Sequence, residues 1–230
     1  MQLRQILLSI CFITGIILSG CAPSTSLKDE GTIVYDIVYV KASKNKGSDK
    51  TLPTRMVIKY KKNKLLNQIE GMGGMVTLTY IQDKDLNRSH YLVKLLNKKL
   101  YYTDTLGEIS TNFMYANSSG ITITPSHETR EILGYLCNSA TVEVGDSGAS
   151  KLNIFYTNEI GQPNPNKDTP FEPIKGIMLE FGMILSKVQV TLVASSIESG
   201  SVESSDFNIP SDYKRMDKET LLEVFKLFNQ

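Results

Sequence analysis

The chain has 230 residues and nearly balanced charge, 25 Lys or Arg against 24 Asp or Glu. Balance argues against a nucleic-acid partner, because phosphate binding draws on a clustered excess of basic side chains, and the length suits one domain with a substantial core better than two. Two histidines and three cysteines leave little material for a metal centre or a histidine-assisted nucleophile.

Arg4 precedes an apolar run from Ile6 to Leu18, too short to span a bilayer, for which roughly 20 apolar residues are needed. Leu18-Ser19-Gly20-Cys21 follows and resembles the lipobox that bacterial lipoprotein signal peptidase cuts before its cysteine. Residues 1–20 therefore read as a removable lipoprotein signal peptide. The Cys21 thiol is the expected lipidation site, with diacylglyceryl on sulfur and palmitate-like acyl chains holding the protein on a membrane. Residues 21–31, rich in Ser, Thr and Pro, read as the lipidated cysteine and a flexible tether. With Cys11 lost in the signal and Cys21 carrying lipid, only Cys137 remains, and no internal disulfide is expected.

Residues 32–230 read as a single β domain. Apolar side chains alternate in Ile33-Tyr35-Ile37-Tyr39, Met56-Ile58-Tyr60, Val76-Leu78-Tyr80, Leu152-Ile154-Tyr156, Ile177-Leu179-Phe181 and Val188-Val190-Leu192. Period two over many short runs separated by turn residues predicts an antiparallel sheet of about ten strands. That many twisted strands must close into a barrel, split into a sandwich or curve strongly. Residues 105–120 are compatible with a short helix or a loop. Residues 161–176 carry Pro163, Pro165, Pro170 and Pro173 and read as a long loop, of a kind that often borders an opening. At the end, Asp217 is placed to cap one amphipathic helix with Leu221, Val224, Phe225 and Phe228 on its apolar stripe.

No catalytic residue, metal site or cofactor motif emerges. His90 and His127 sit in alternating strand segments and read as strand-surface residues. Asp83-Lys84-Asp85-Leu86-Asn87 begins like a calcium loop, but Arg88 and Lys94 stand where Gly and Glu are needed, so it reads as a turn. Gly71-Met72-Gly73-Gly74 reads as a hairpin turn rather than a phosphate cradle, since a strand follows it and not a helix. Cys137 reads as a small buried hydrophobe. Lys41 to Lys64 holds nine basic residues against Asp49 alone, a solvated hairpin or a surface for anionic head groups. Among the aromatics, Tyr35, Tyr39, Tyr60, Tyr80, Tyr156 and Phe181 are the candidates to line a hollow, with Tyr101 and Tyr102 further aromatic positions of the strands.

Three segments carry a family resemblance. Thr129-Arg130-Glu131-Ile132-Leu133-Gly134-Tyr135-Leu136-Cys137-Asn138-Ser139-Ala140 resembles a strand pair of small uncharacterised envelope lipoproteins. Phe155 to Ile160 followed by Ile174 to Glu180 is similar to that family's next strands, and Phe207-Asn208-Ile209-Pro210-Ser211-Asp212-Tyr213-Lys214 to its close, with Asp212 where Gly is commoner. The resemblance implies the half-barrel of lipoprotein-carrier-like proteins, a curved β-sheet with helices over its hollow face, although the carriers' long lid helices have no counterpart between these strands. Ala22 after Cys21, in place of an inner-membrane-retaining Asp, leans the address toward the outer membrane of the cell envelope, with either face open.

Two functions are expected from these observations. The first is a non-enzymatic, lipid-anchored protein holding an apolar or lipid-like ligand in the hollow of the sheet. The alternative is an interaction module docking another outer-membrane or periplasmic protein. An open cavity lined by tyrosines and aliphatics favours the first, a filled core with an exposed apolar patch of several hundred Å² the second.

Overall fold

A computed structural model describes residues 29–39, 52–108, 121–144, 150–161, 164–167, 169–185 and 188–228. The signal and tether up to residue 28, residues 40–51 at the start of the basic stretch and residues 109–120 lie outside this set. The domain is mainly β, an open, mostly antiparallel sheet with one C-terminal helix. Strands β1 (Glu30–Tyr39), β2 (Pro53–Lys61), β3 (Lys64–Gly71), β4 (Val76–Asp83), β5 (Arg88–Leu95) and β6 (Lys98–Thr105) pair in succession from the centre of the sheet to one side. The chain then crosses to the far edge and returns through β7 (Ile121–Ile132), β8 (Tyr135–Val144), β9 (Ser150–Thr157), β10 (Ile177–Leu185) and β11 (Val188–Ser199), which pairs with β1. A two-residue strand, β12 (Lys214–Arg215), adds to the outside of β6 in parallel, and α1 (Lys218–Phe228) ends the fold.

Twelve strands stand where about ten were expected, and the reason is local. β12, of two residues, is too short to alternate. Turn chemistry fixes the hairpins. Leu133 and Gly134 both take positive φ, 51° and 84°, the left-handed pair required by a two-residue connection that matches strand twist. Between β4 and β5 the Asp83 carboxylate accepts the N–H groups of Asp85 and Leu86, both at 3.1 Å, and Asn87 tolerates φ 50°.

Alternation sorts side chains onto two faces. On the inner face, Tyr35, Met56, Tyr60, Ile69, Tyr80, Tyr91 and Val93 join residues of β8–β11 in one core. The sheet curls around this core, helped by pairing shifts in β1, β2, β7 and β10. Tyr35 on β1 donates its hydroxyl to the carbonyl of Met178 on β10, 2.9 Å away. The outer face carries a smaller cluster of Leu66, Ile81 and Leu92, covered by Val202 and Phe207 from a strap formed by residues 200–213. Charges hold the strap too: Lys59 reaches Asp206 at 2.8 Å, and Lys99 pairs with Asp212.

Strand register sets Glu30, Lys61, Lys64, Asp83, Arg88 and Thr105 side by side across six strands. This row marks the end of the sheet at which the chain enters β1. No helix among the described residues is long and apolar enough to cross a membrane.

Candidate functional site

The hollow of the sheet is the place where the expected site residues converge, and the chain itself fills it. The Asp217 carboxylate accepts the Thr220 N–H at 2.7 Å and starts α1. Spacing of three and four residues then turns Leu221, Val224 and Phe225 inward together, each buried. Phe225 meets the Tyr91 ring edge-on, with centroids 6.1 Å apart. The side chain of Phe228, also expected on this stripe, lies outside the described set.

The connection from β9 to β10 closes the other side. Phe171 is 2% exposed and packs edge-on against Phe181, centroids 6.4 Å apart. Asn166 holds this connection in place by donating from Nδ2 to the carbonyls of Ile174 (2.7 Å) and Gly176 (3.0 Å). The described part of this loop, 164–167 and 169–176, thus packs as a plug against the sheet, where a loop bordering an opening is expected from sequence.

Between plug and sheet lies a cavity of about 50 Å³. Tyr35, Tyr80 and Phe181 line it, together with Met56, Asn67 and Gln82. Tyr60 is fully buried but does not line it; its ring stands over the backbone of Gly31, where an added Cβ would lie 2.7 Å from the hydroxyl and 2.8 Å from the Glu198 carbonyl oxygen. Tyr39, half-buried, does not line it either and donates to the Pro53 carbonyl at 2.7 Å. Tyr156 is half-buried on β9 and packs against the core. Tyr102 also packs on the core, whereas Tyr101 belongs to the outer cluster.

Two polar residues of the sheet join Asn166 and Thr169 in the lining. Gln82 donates to the Tyr80 hydroxyl at 3.0 Å, and Asn67 carries a buried Oδ1 without a hydrogen-bond partner. Both were legible as positions, since Asn67 alternates in phase with Leu65 and Ile69, and Gln82 with Tyr80. Their polarity masked them, because alternation is read from apolar residues.

The electrostatics favour neutral groups. Burial pushes the Tyr39 hydroxyl up to about 12. Burial first, and the neighbouring Tyr80 second, raise Tyr91 further, and burial with Tyr135 nearby raises Tyr60. These phenols hold their protons at neutral pH and supply no base. His90 lies on the outer face with Nδ1 2.9 Å from Thr103 Oγ1, and His127 lies on β7 at the opposite side of the sheet. Cys137 is fully buried, its thiol pushed up chiefly by that burial. Among the described residues no group of three or more His, Cys, Asp or Glu side chains is placed to hold a metal ion.

No protein-family model matches the chain, and no curated protein matches it. Among solved structures, that of PNGF-II is similar, with a TM-score of 0.50 and 15% sequence identity over 86% of this chain. This chain spans 32% of PNGF-II. At that identity the likeness concerns the fold alone.

Proposed function

We propose that this chain is a lipid-anchored, non-enzymatic module of the cell envelope, anchored through Cys21, that docks another envelope protein on its outer surface. The observation that carries the reading is the filled hollow. A drug-sized or lipid-like guest needs roughly 300–1,000 Å³, whereas the space left between plug and sheet is about 50 Å³, room for a few water molecules. To admit an acyl chain, α1 or the Phe171 plug would have to leave. The raised phenols and the separation of His90 from His127 support the non-enzymatic part of the reading. The anchor rests on Arg4, the Ile6–Leu18 run and the lipobox-like residues before Cys21.

Native mass spectrometry of the purified protein, followed by solvent extraction, tests the surface reading. No phosphate-free apolar guest, such as a fatty acid, is expected at stoichiometric level; one released by extraction would return the function to the hollow. Metabolic labelling with palmitate tests the anchor. Label is expected on the wild-type chain and lost in Cys21→Ser, and an unlabelled wild type would refute it.

A further inference from the structure

The outer face of β5 and β6 holds an open dish of about 710 Å³ between the β4–β5 hairpin and the strap. Its floor is His90, Tyr101 and Thr103; Arg88 and Thr105 form one wall, and Arg215 on β12 stands across from them. Register explains the arrangement, since Arg88 pairs with Thr105, His90 with Thr103, and Arg215 with Tyr101, each pair sharing a face of the sheet. Neither Arg88 nor Arg215 has an ion-pair partner among the described residues, unlike Lys59, Lys61, Lys64 and Lys99 on the same face. The one carboxylate in the lining, Asp104, is already engaged by the Tyr102 hydroxyl (3.1 Å), the Thr105 N–H (2.8 Å) and the Lys218 ammonium (3.6 Å). Two uncompensated guanidiniums therefore face a basin lined with hydroxyls and an imidazole, a donor set suited to a tetrahedral oxyanion.

We propose that this dish binds the phosphate of an anionic phospholipid head group, with Arg88 and Arg215 as the charged clamp and His90, Thr103 and Thr105 as hydrogen-bonding neighbours. A lipid source is favoured by place. Arg88 belongs to the row of residues at the end of the sheet where the chain enters β1, and the segment from Cys21 to Glu30, fully extended, reaches at most roughly 30 Å. Leu86, at the hairpin tip beside Arg88, is 61% exposed and offers an apolar side chain to the same membrane. The choice of lipid over a soluble phosphate rests on the anchored reading above; the chemistry of the dish does not.

His90 is the reporter. Burial, then Arg88, lowers its pKa, with Lys64 acting in the same direction and Asp83 against them. Arg215 faces the ring from β12, and Thr103 contacts it from β6. At neutral pH the ring is uncharged, and an anion seated in the dish raises its pKa. Proton NMR of the full-length protein resolves this directly, because His127, on β7, is the only other histidine and serves as an internal control. Inorganic phosphate is titrated against the protein in a non-ionic detergent, and the protein is then compared in phosphatidylglycerol and phosphatidylcholine nanodiscs. Saturable phosphate shifts at His90 alone are expected, together with a higher His90 pKa in phosphatidylglycerol. The combined Arg88→Gln and Arg215→Gln variant should weaken phosphate binding by roughly a hundredfold, about tenfold for each charge-assisted contact. Both side chains are exposed, so the His127 resonance should stay in place and report an intact fold. No shift at His90, or a shift that survives in the double variant, overturns the proposal. A response to phosphate without one to phosphatidylglycerol overturns the lipid assignment in favour of a soluble phosphate ester. The titration is independent of acylation, so an unmodified Cys21 would refute the anchor while leaving the dish standing.

Discussion

Leu221→Ala separates a hollow sealed by an integral part of the fold from one covered by a lid that opens. Leu221 is 0% exposed on the inner stripe of α1, in the core formed by both flanks of the sheet. Truncating a fully buried leucine costs about 2–5 kcal/mol, from lost transfer free energy and the cavity left behind. The residue touches a close-packed core with few ways to collapse around a gap, so a value near the middle, about 3 kcal/mol, is expected. A domain of this size loses roughly 2–4 °C in Tm per kcal/mol, which places the shift at about 6–12 °C. The assay is thermal unfolding followed by circular dichroism in the far ultraviolet, where the sheet dominates, with calorimetry to confirm one transition. If α1 belongs to the core, the sheet melts earlier as a unit. A lid in ready exchange with an open state would lose only its own closing free energy. The sheet would then melt within about 1 °C of wild type while an apolar dye gained access. That second pattern would refute the filled-hollow argument and revive the apolar-ligand reading.

The remaining predictions concern packing, charge and the strap. Gly31→Ala drives a Cβ into the Glu198 carbonyl oxygen at 2.8 Å and the Tyr60 hydroxyl at 2.7 Å, so urea denaturation should report a loss of roughly 1–3 kcal/mol. Tyr60→Phe, removing a buried hydroxyl with no partner, should leave stability unchanged or improved and restore part of the Gly31→Ala loss; a loss above about 1 kcal/mol on its own would imply a hydrogen bond worth keeping. At Asp83 burial alone would raise the carboxyl pKa, but the Lys64 ammonium at 2.8 Å and the N–H groups of Leu86 and Asp85 outweigh it and hold the group below its ordinary 3.8. A lowered folded pKa contributes stability that is present above the unfolded value and lost as pH falls through the folded one. Asp83→Asn should therefore be less stable than wild type at pH 6–7, with the gap closing as pH falls below the ordinary carboxylate range and through the lowered folded value, measured as urea midpoints against pH; a constant gap would refute the charge argument. On the strap, Phe207→Ala should cost about 3 kcal/mol and Asp206→Asn less than about 1 kcal/mol, because Phe207 is buried whereas the Lys59–Asp206 pair is about one-third exposed. Equal losses in chemical denaturation would contradict that ordering.

Local rules made much of this fold legible. Tyr35, Tyr60, Tyr80 and Phe181 fall at alternate positions of their strands and are buried on the inner face, and the Leu221-Val224-Phe225 stripe is a helix packed where its period requires. β12 left no trace in the pattern because it gains its order from a pairing partner rather than from burial of apolar residues of its own. The segment from Thr129 to Ala140, which resembles a strand pair, lies in the β7–β8 hairpin, turned at Leu133 and Gly134. Gly134 was the available signal, since an isolated glycine inside a strand pattern marks a turn or bulge.

The site was less legible because alternation reports which side chains face inward and is silent on what they meet there. The same tyrosines would line an empty hollow or fill a closed one. The difference is decided by Phe171, more than a hundred residues from Tyr35 in sequence, and by a helix at the other end of the chain, and neither distance has a local signature. The outer dish hides for a related reason. Arg88 and Arg215 are unremarkable singly, and the formal balance of the whole chain conceals them. Only register, which aligns β5 with β6 and β6 with β12, brings two cations to one basin while assigning the neighbouring carboxylates to other partners. Net charge averages over such pairings, so a neutral chain can still present a local anion site. Balanced composition argues against the extended phosphate tracking of nucleic-acid binding, but not against the capture of a single phosphate.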